Sequence, residues 1–191
     1  MGAITRPLPV KLIVGVLTSI PEIVPVAEKR LSERFGTIDS RSEQFPFDAT
    51  RYYNRTMGSP ITRRFLGFES LIEPSSIAGI KMATNEMESL LALEWRQVPR
   101  PANLDPGYIE ESKLVLASTK NFYHRICLSR GIYAEVTLHF ERGAWRTLPW
   151  TFPDYAAGAY HPYLVSLRDL YREQIRNLDS GAGSPLPGRT A

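Results

Sequence analysis

Apolar positions in this chain fall into a few runs, and their spacing decides what each run becomes. Val10 to Leu17 is apolar apart from Lys11 and rich in β-branched residues, which predicts a buried strand. Thr18 or Ser19 is placed to cap a following helix, with Pro21 in its first turn, where a missing N–H costs nothing. Pro25 sets the regular helix to begin there; it runs to Arg34 and Gly36 stops it. Residues 37–48 are extended without clear periodicity, and Pro46 suits an edge strand. Arg51 to Ser59 predicts a surface excursion and Arg64 to Ile72 a second strand.

Pro74, Ser75 and Ser76 start a helix whose buried stripe is Ile77, Ile80, Met87, Leu90 and Leu91. Lys81, Asn85 and Glu88 share another of its faces, which either looks into a cleft or, more simply, is a salt-bridged surface. Val98 to Gly107 holds Pro99, Pro101, Pro106 and Gly107, so it predicts a connection and no central element. The segment 109–118 fits either state. Leu114-Val115-Leu116 suits a buried strand, but Glu110, Glu111 and Ser112 suit a first helical turn, and helix is favoured.

The clearest local expectation is a hairpin, His124–Leu128 with Ile132–Phe140, turning at Ser129-Arg130-Gly131. A further turn at Arg142-Gly143 leads to a strand around Trp145–Leu148, and Tyr163–Ile175 predicts a terminal helix. Residues 1–178 then form a single α+β domain, with an antiparallel or mixed sheet and helices mostly on one face. Residues 179–191, rich in Gly, Pro and Ser, predict a disordered tail.

Composition narrows the function classes. With 191 residues the chain buries a sizeable core. The 23 basic and 20 acidic residues leave a net charge of +3, too small by itself to imply nucleic acid. A single cysteine excludes an internal disulfide and a thiolate metal cluster, and fits a reducing, cytoplasmic setting. No run is long and apolar enough to span a bilayer, so no membrane partner is expected.

Alternation along the hairpin sorts its chemistry. His124, Ile126 and Leu128 would share one face, Arg125 and Cys127 the other, which separates thiol from imidazole and reads Cys127 as a buried, inert thiol. Glu135 falls on the polar face with Tyr133 and Thr137, as a base, a metal ligand or the cross-strand partner of Arg125. Gly15 to Ser19 lacks the second glycine and the lysine of a phosphate-binding loop. The three histidines, His124, His139 and His161, have no zinc spacing. Magnesium is the metal that Asp105, Glu135 and Asp154 would suit, although scattered carboxylates are more often surface groups.

The chain also resembles the bacterial family catalogued as domain of unknown function 4416 (DUF4416). The resemblance rests on Asn103-Leu104-Asp105-Pro106-Gly107-Tyr108, on Lys113 through Lys120, on His124-Arg125-Ile126, on Gly131 through Leu138 and on Pro149 through Tyr155. Tyr52-Tyr53 with Met57-Gly58, and Thr84-Asn85 with Glu88, fit the same pattern. Thr56 stands where an acid is expected and Cys127 where an aromatic is expected, so neither a carboxylate there nor a thiol mechanism is supported. The resemblance implies no activity.

The residues themselves point first to an enzyme or binding protein for a phosphate-bearing small molecule, a nucleotide or sugar phosphate. Lys113, Lys120 and Arg125 would clamp the anion, with Asn103, Lys81 and Asn85 as further ligand contacts. His124, Asp105 and Glu135 are the candidate catalytic groups, His124 as acid and base and the carboxylates orienting ligand or metal. A second reading is an RNA-associated module stacking bases on Tyr52, Tyr53, Tyr133 and Trp150. A third is an interaction protein without chemistry.

Overall fold

Strand β1 (Val10–Thr18) is buried along its whole length and lies near the middle of the sheet, as its apolar run from Leu12 to Leu17 requires, and the buried Lys11 near its start pairs with Asp39 at 2.7 Å. The computed structural model describes residues 3–50 and 52–181. After β1 come α1 (Ile23–Phe35), β2 (Ile38–Arg41), β3 (Phe45–Pro46), the single turn α2 (Asn54–Met57) and β4 (Thr62–Ile72). A 3-10 turn at Pro74–Ser76 opens α3 (Ile77–Glu94). The second half holds β5 (Asn103–Ile109), β6 (Lys113–Ser118), β7 (Ile126–Ser129), β8 (Ile132–Glu141), β9 (Ala144–Thr147), α4 (Pro153–Ala156) and α5 (His161–Gly181).

Among the described residues these build one α+β domain around a nine-stranded antiparallel sheet ordered β2-β4-β1-β5-β6-β8-β7, with β3 beside β4 and β9 beside β8. α1 and α3 share one face over Leu12, Val14, Val16, Leu66 and Leu104. α4 and α5 cover the other over Ile13, Phe65, Leu116 and Leu138. A small satellite core of Leu17, Phe47, Met57 and Ile61 anchors the excursion between β3 and β4.

Several expectations are corrected. Residues 103–107 are not a connection. They begin β5, which pairs with β1 over its whole length. Pro99 and Pro101 end the connection, and Pro106 is tolerated because the sheet divides there. Residues 113–118 are strand, not helix: Leu114 to Ala117 are buried, and Glu110 to Ser112 form the turn from β5, closed by Glu110 N–H donating to Lys113 O at 3.1 Å. The hairpin strand begins at Ile126, so His124 and Arg125 lie in the preceding turn, where strand alternation does not apply. Its turn is Arg130-Gly131, with φ of 49° and 74°, the pair of left-handed residues that a two-residue hairpin requires. Cys127 is exposed, because β7 is an edge strand that nothing in the described chain covers. Leu90 is also exposed, and Leu91 alone of that pair packs inward. α5 continues to Gly181, past the expected end of the terminal helix at Ile175, and residues 182–191 of the expected tail lie outside the described residues.

The core against α5 carries three buried or half-buried tyrosines, Tyr155, Tyr160 and Tyr163, and burial raises the pKa of each above its usual value of 10, that of Tyr163 to about 12. Unfolded chains ionise these phenols near pH 10 and the folded chain does not, so their contribution is complete below pH 10 and falls as pH rises towards about 12. Lys11, lowered by burial, does not offset this, since above its unfolded value of 10.5 both forms are neutral. Urea midpoints are therefore expected to drop steeply above pH 10, and Tyr163→Phe should flatten the drop. A midpoint unchanged across that range would contradict the assignment.

Candidate functional site

β5 and β6 pair only at Gly107–Leu116, Tyr108–Val115 and Ile109–Leu114. Beyond that point β5 stays with β1, through Asp105–Gly15 and Asn103–Leu17, while β6 stays with β8, through Leu116–Glu135 and Ser118–Tyr133. The sheet therefore splits. Pro106, which has no N–H to donate, sits at the fork. Gly107 lets β6 approach so closely that a Cβ there would lie 2.3 Å from Val115 O.

The split opens a cleft of about 450 Å³. Asn103 and Asp105 line one bank, and Leu116 through Lys120 the other. Lys81 and Asn85 enter from α3, Arg63 comes from β4, and Phe152, Asp154 and Tyr155 come from the segment around α4. Phe47, Tyr52 and Tyr53 add aromatic wall from the excursion after β3.

Three polar clusters hold this lining. In the first, Arg63 is buried with its Nη2 3.3 Å from Asp154 and 3.6 Å from Asp105, and its Nη1 donates to Tyr155 OH at 2.8 Å. Burial opposes its charge, but Tyr155, Asp154 and Asp105 outweigh that and hold its pKa above the ordinary value. In the second, Lys81 donates to Leu104 O at 2.8 Å and stands 3.9 Å from both Glu88 and Asp105. Glu88 accepts from Arg100 and from Leu104 N–H, each at 2.8 Å, Arg100 also donates to Asn103, and Asn103 Nδ2 donates to Asp105 at 2.7 Å. In the third, Glu135 is 3 % exposed and accepts from Arg125 Nε at 2.7 Å, His124 Nε2 at 3.0 Å and the Thr137 hydroxyl at 3.1 Å. Arg125 Nη1 also donates to Ser118 Oγ at 3.1 Å and Lys120 O at 2.9 Å, which ties the turn before β7 to the end of β6.

Of the residues singled out from sequence, Asp105, Lys120, Arg125, Glu135, Asn103, Lys81 and Asn85 line the cleft. Two do not. Lys113 lies at the opposite end of β6, five residues or about 16 Å from Ser118 at strand rise, and pairs with Glu110 at 2.8 Å. His124 stands behind Glu135, its ring stacked on Trp150 at 5.2 Å, so it positions that carboxylate and does not face the cleft. Arg63, Arg100 and Tyr155 were not singled out. The available signal for Arg63 was a charged residue two before Phe65 and four before Gly67, on an inward-facing strand row. No group of three or more His, Cys, Asp or Glu side chains among the described residues is placed to hold a metal ion, and Asp105, Glu135 and Asp154 each face a cation instead.

Residues 8–171 match the model of the family described as Domain of unknown function (DUF4416). The chain belongs to that family. Every cleft residue named above falls inside the family's span, so the split sheet lies within the matched region. No curated protein and no solved structure matches the chain. Among the described residues no helix is long and apolar enough to cross a membrane.

Proposed function

We propose that the cleft binds a phosphate-bearing small molecule of nucleotide or sugar-phosphate size, as a binding protein or an enzyme for it. The observation that carries this is the charge of the lining: Arg63, Lys81, Arg100, Lys120 and Arg125 against Asp105, Glu135 and Asp154. Glu88, just behind the lining, pairs with Arg100 and stands beside Lys81, so the five cations and four carboxylates leave one positive charge for a ligand to meet, which suits an anionic group such as a phosphate. Lys120 is the best placed to supply one. It is exposed, lies over the Tyr52 ring at 4.8 Å, and has no carboxylate partner among the described residues. Arg125 is held rigid by Glu135 and Ser118, so little freedom is lost when it contacts an anion. Asp105 would accept hydrogen bonds from ligand hydroxyls, and the aromatic wall would cover a sugar or base face.

Phosphate-bearing ligands at a hundredfold excess over Kd should stabilise the protein by about 2.7 kcal/mol, raising its melting temperature by several degrees. Lys120→Ala should lose most of that rise. A broad panel of nucleotides and sugar phosphates that shifts neither protein, or both equally, would end this reading.

A further inference from the structure

The sheet terminates at β7, and this edge differs from the others. β2 carries Asp39 and Arg41, β3 carries Pro46 and β9 carries Arg146, all residues that discourage a second strand from pairing. β7, Ile126-Cys127-Leu128-Ser129, has neither a charge nor a proline, only a register shift against β8 between Cys127 and Ser129, and all four residues are exposed, Ile126 at 73 % and Leu128 at 42 %. The turn before it adds Phe122 at 57 % and Tyr123 at 77 %, their rings 5.0 Å apart. A bare backbone ladder beside exposed large apolar side chains is the arrangement that folded proteins otherwise avoid.

We propose that β7 is a two-fold homodimer interface, pairing antiparallel with β7 of a second copy to continue the sheet across both chains. The strand is self-complementary. Pairing about Cys127 sets Ile126 of each chain against Leu128 of the other, an apolar pair on both sides of the axis. Charge does not oppose it. Arg125 is neutralised by Glu135 at 2.7 Å. The two Arg130 side chains would stand six residue steps apart, roughly 20 Å at strand rise and beyond the screening length of about 8 Å. At about 200 Å² for a large apolar side chain, covering the exposed fractions of Phe122, Tyr123, Ile126 and Leu128 removes at most roughly 500 Å² per copy, or about 1,000 Å² in all, so the lower bound for a specific interface is reached when the turn before β7 is covered together with the strand and its backbone ladder.

This inference is independent of what the cleft binds. Light scattering of the full chain at tens of micromolar should give twice 21.6 kDa. Ile126→Lys and Leu128→Lys, each placing a charge on the edge, should weaken association at least a hundredfold while keeping the circular dichroism of the wild type. Leu93→Lys, at an exposed apolar position on α3, should leave the dimer intact. Since Cys127 is the only cysteine, copper-catalysed air oxidation should link two wild-type chains and leave Ile126→Lys unlinked. A wild-type monomer at these concentrations would overturn the proposal. So would a dimer that survives both edge substitutions in folded protein.

Discussion

Arg63→Met should lower stability by about 3–5 kcal/mol, the range for removing one partner from a buried charge cluster. The methionine fills part of the space, but Asp154, 9 % exposed, keeps its charge without its cation, and Asp105 loses one of its two. The guanidinium also lies 5.1 Å from the centre of the Tyr155 ring and 5.2 Å from that of Phe47, contacts that a thioether replaces only weakly. Adding Asp154→Asn should recover a substantial part of the loss, because it removes the stranded charge. Chemical denaturation of the two variants measures this. A single-variant loss under about 1 kcal/mol would mean that water, not Arg63, solvates Asp154.

Gly107→Ala should cost at least about 3 kcal/mol, the upper end for overpacking. The clash is with Val115 O, backbone of the paired strand, and with Leu116 Cδ2 at 2.6 Å, so no side-chain rotation relieves the first of them. Gly79→Ala supplies the contrast. It lies within α3 with nothing inside 4 Å of a new methyl group, and should stabilise by about 0.5–1 kcal/mol through helix propensity alone. Equal effects at the two positions would show that the β5–β6 approach is not close.

Elements whose apolar pattern is set by local burial were legible in sequence. β1 reads directly because both of its faces are covered, and the hairpin turn reads from Gly131. β5 was hidden by its own composition. Proline and glycine signal a loop locally, and only the fork in the sheet, a long-range arrangement, gives Pro106 and Gly107 a place in a central strand. β6 was obscured because Glu110 to Ser112 suit a helix start as well as a turn, and pairing to β5 and β8 decided between them. The site followed the same division. Asp105, Lys120, Arg125 and Glu135 could be grouped because they sit in one polar-rich stretch of sequence. Arg63 joins them from a distant strand, and Lys113 leaves them because a strand, unlike a helix, carries its two ends far apart. His124 was read as a strand residue facing a ligand, but the strand starts two residues later, and the turn that holds His124 places it behind Glu135.

The forked sheet separates two properties that most pockets mix. Its aperture is fixed by main-chain ladders, β5 held by β1 and β6 by β8, with the fork pinned where Gly107 meets Val115. Part of its lining, Asn103 and Asp105 on one side and Leu116 through Ser118 on the other, sits on those rails, and other side chains reach in from α3, β4 and the segment around α4. The width of the slot is thus a property of the main chain, and a side-chain exchange within it alters its charge and its rings before it alters its span.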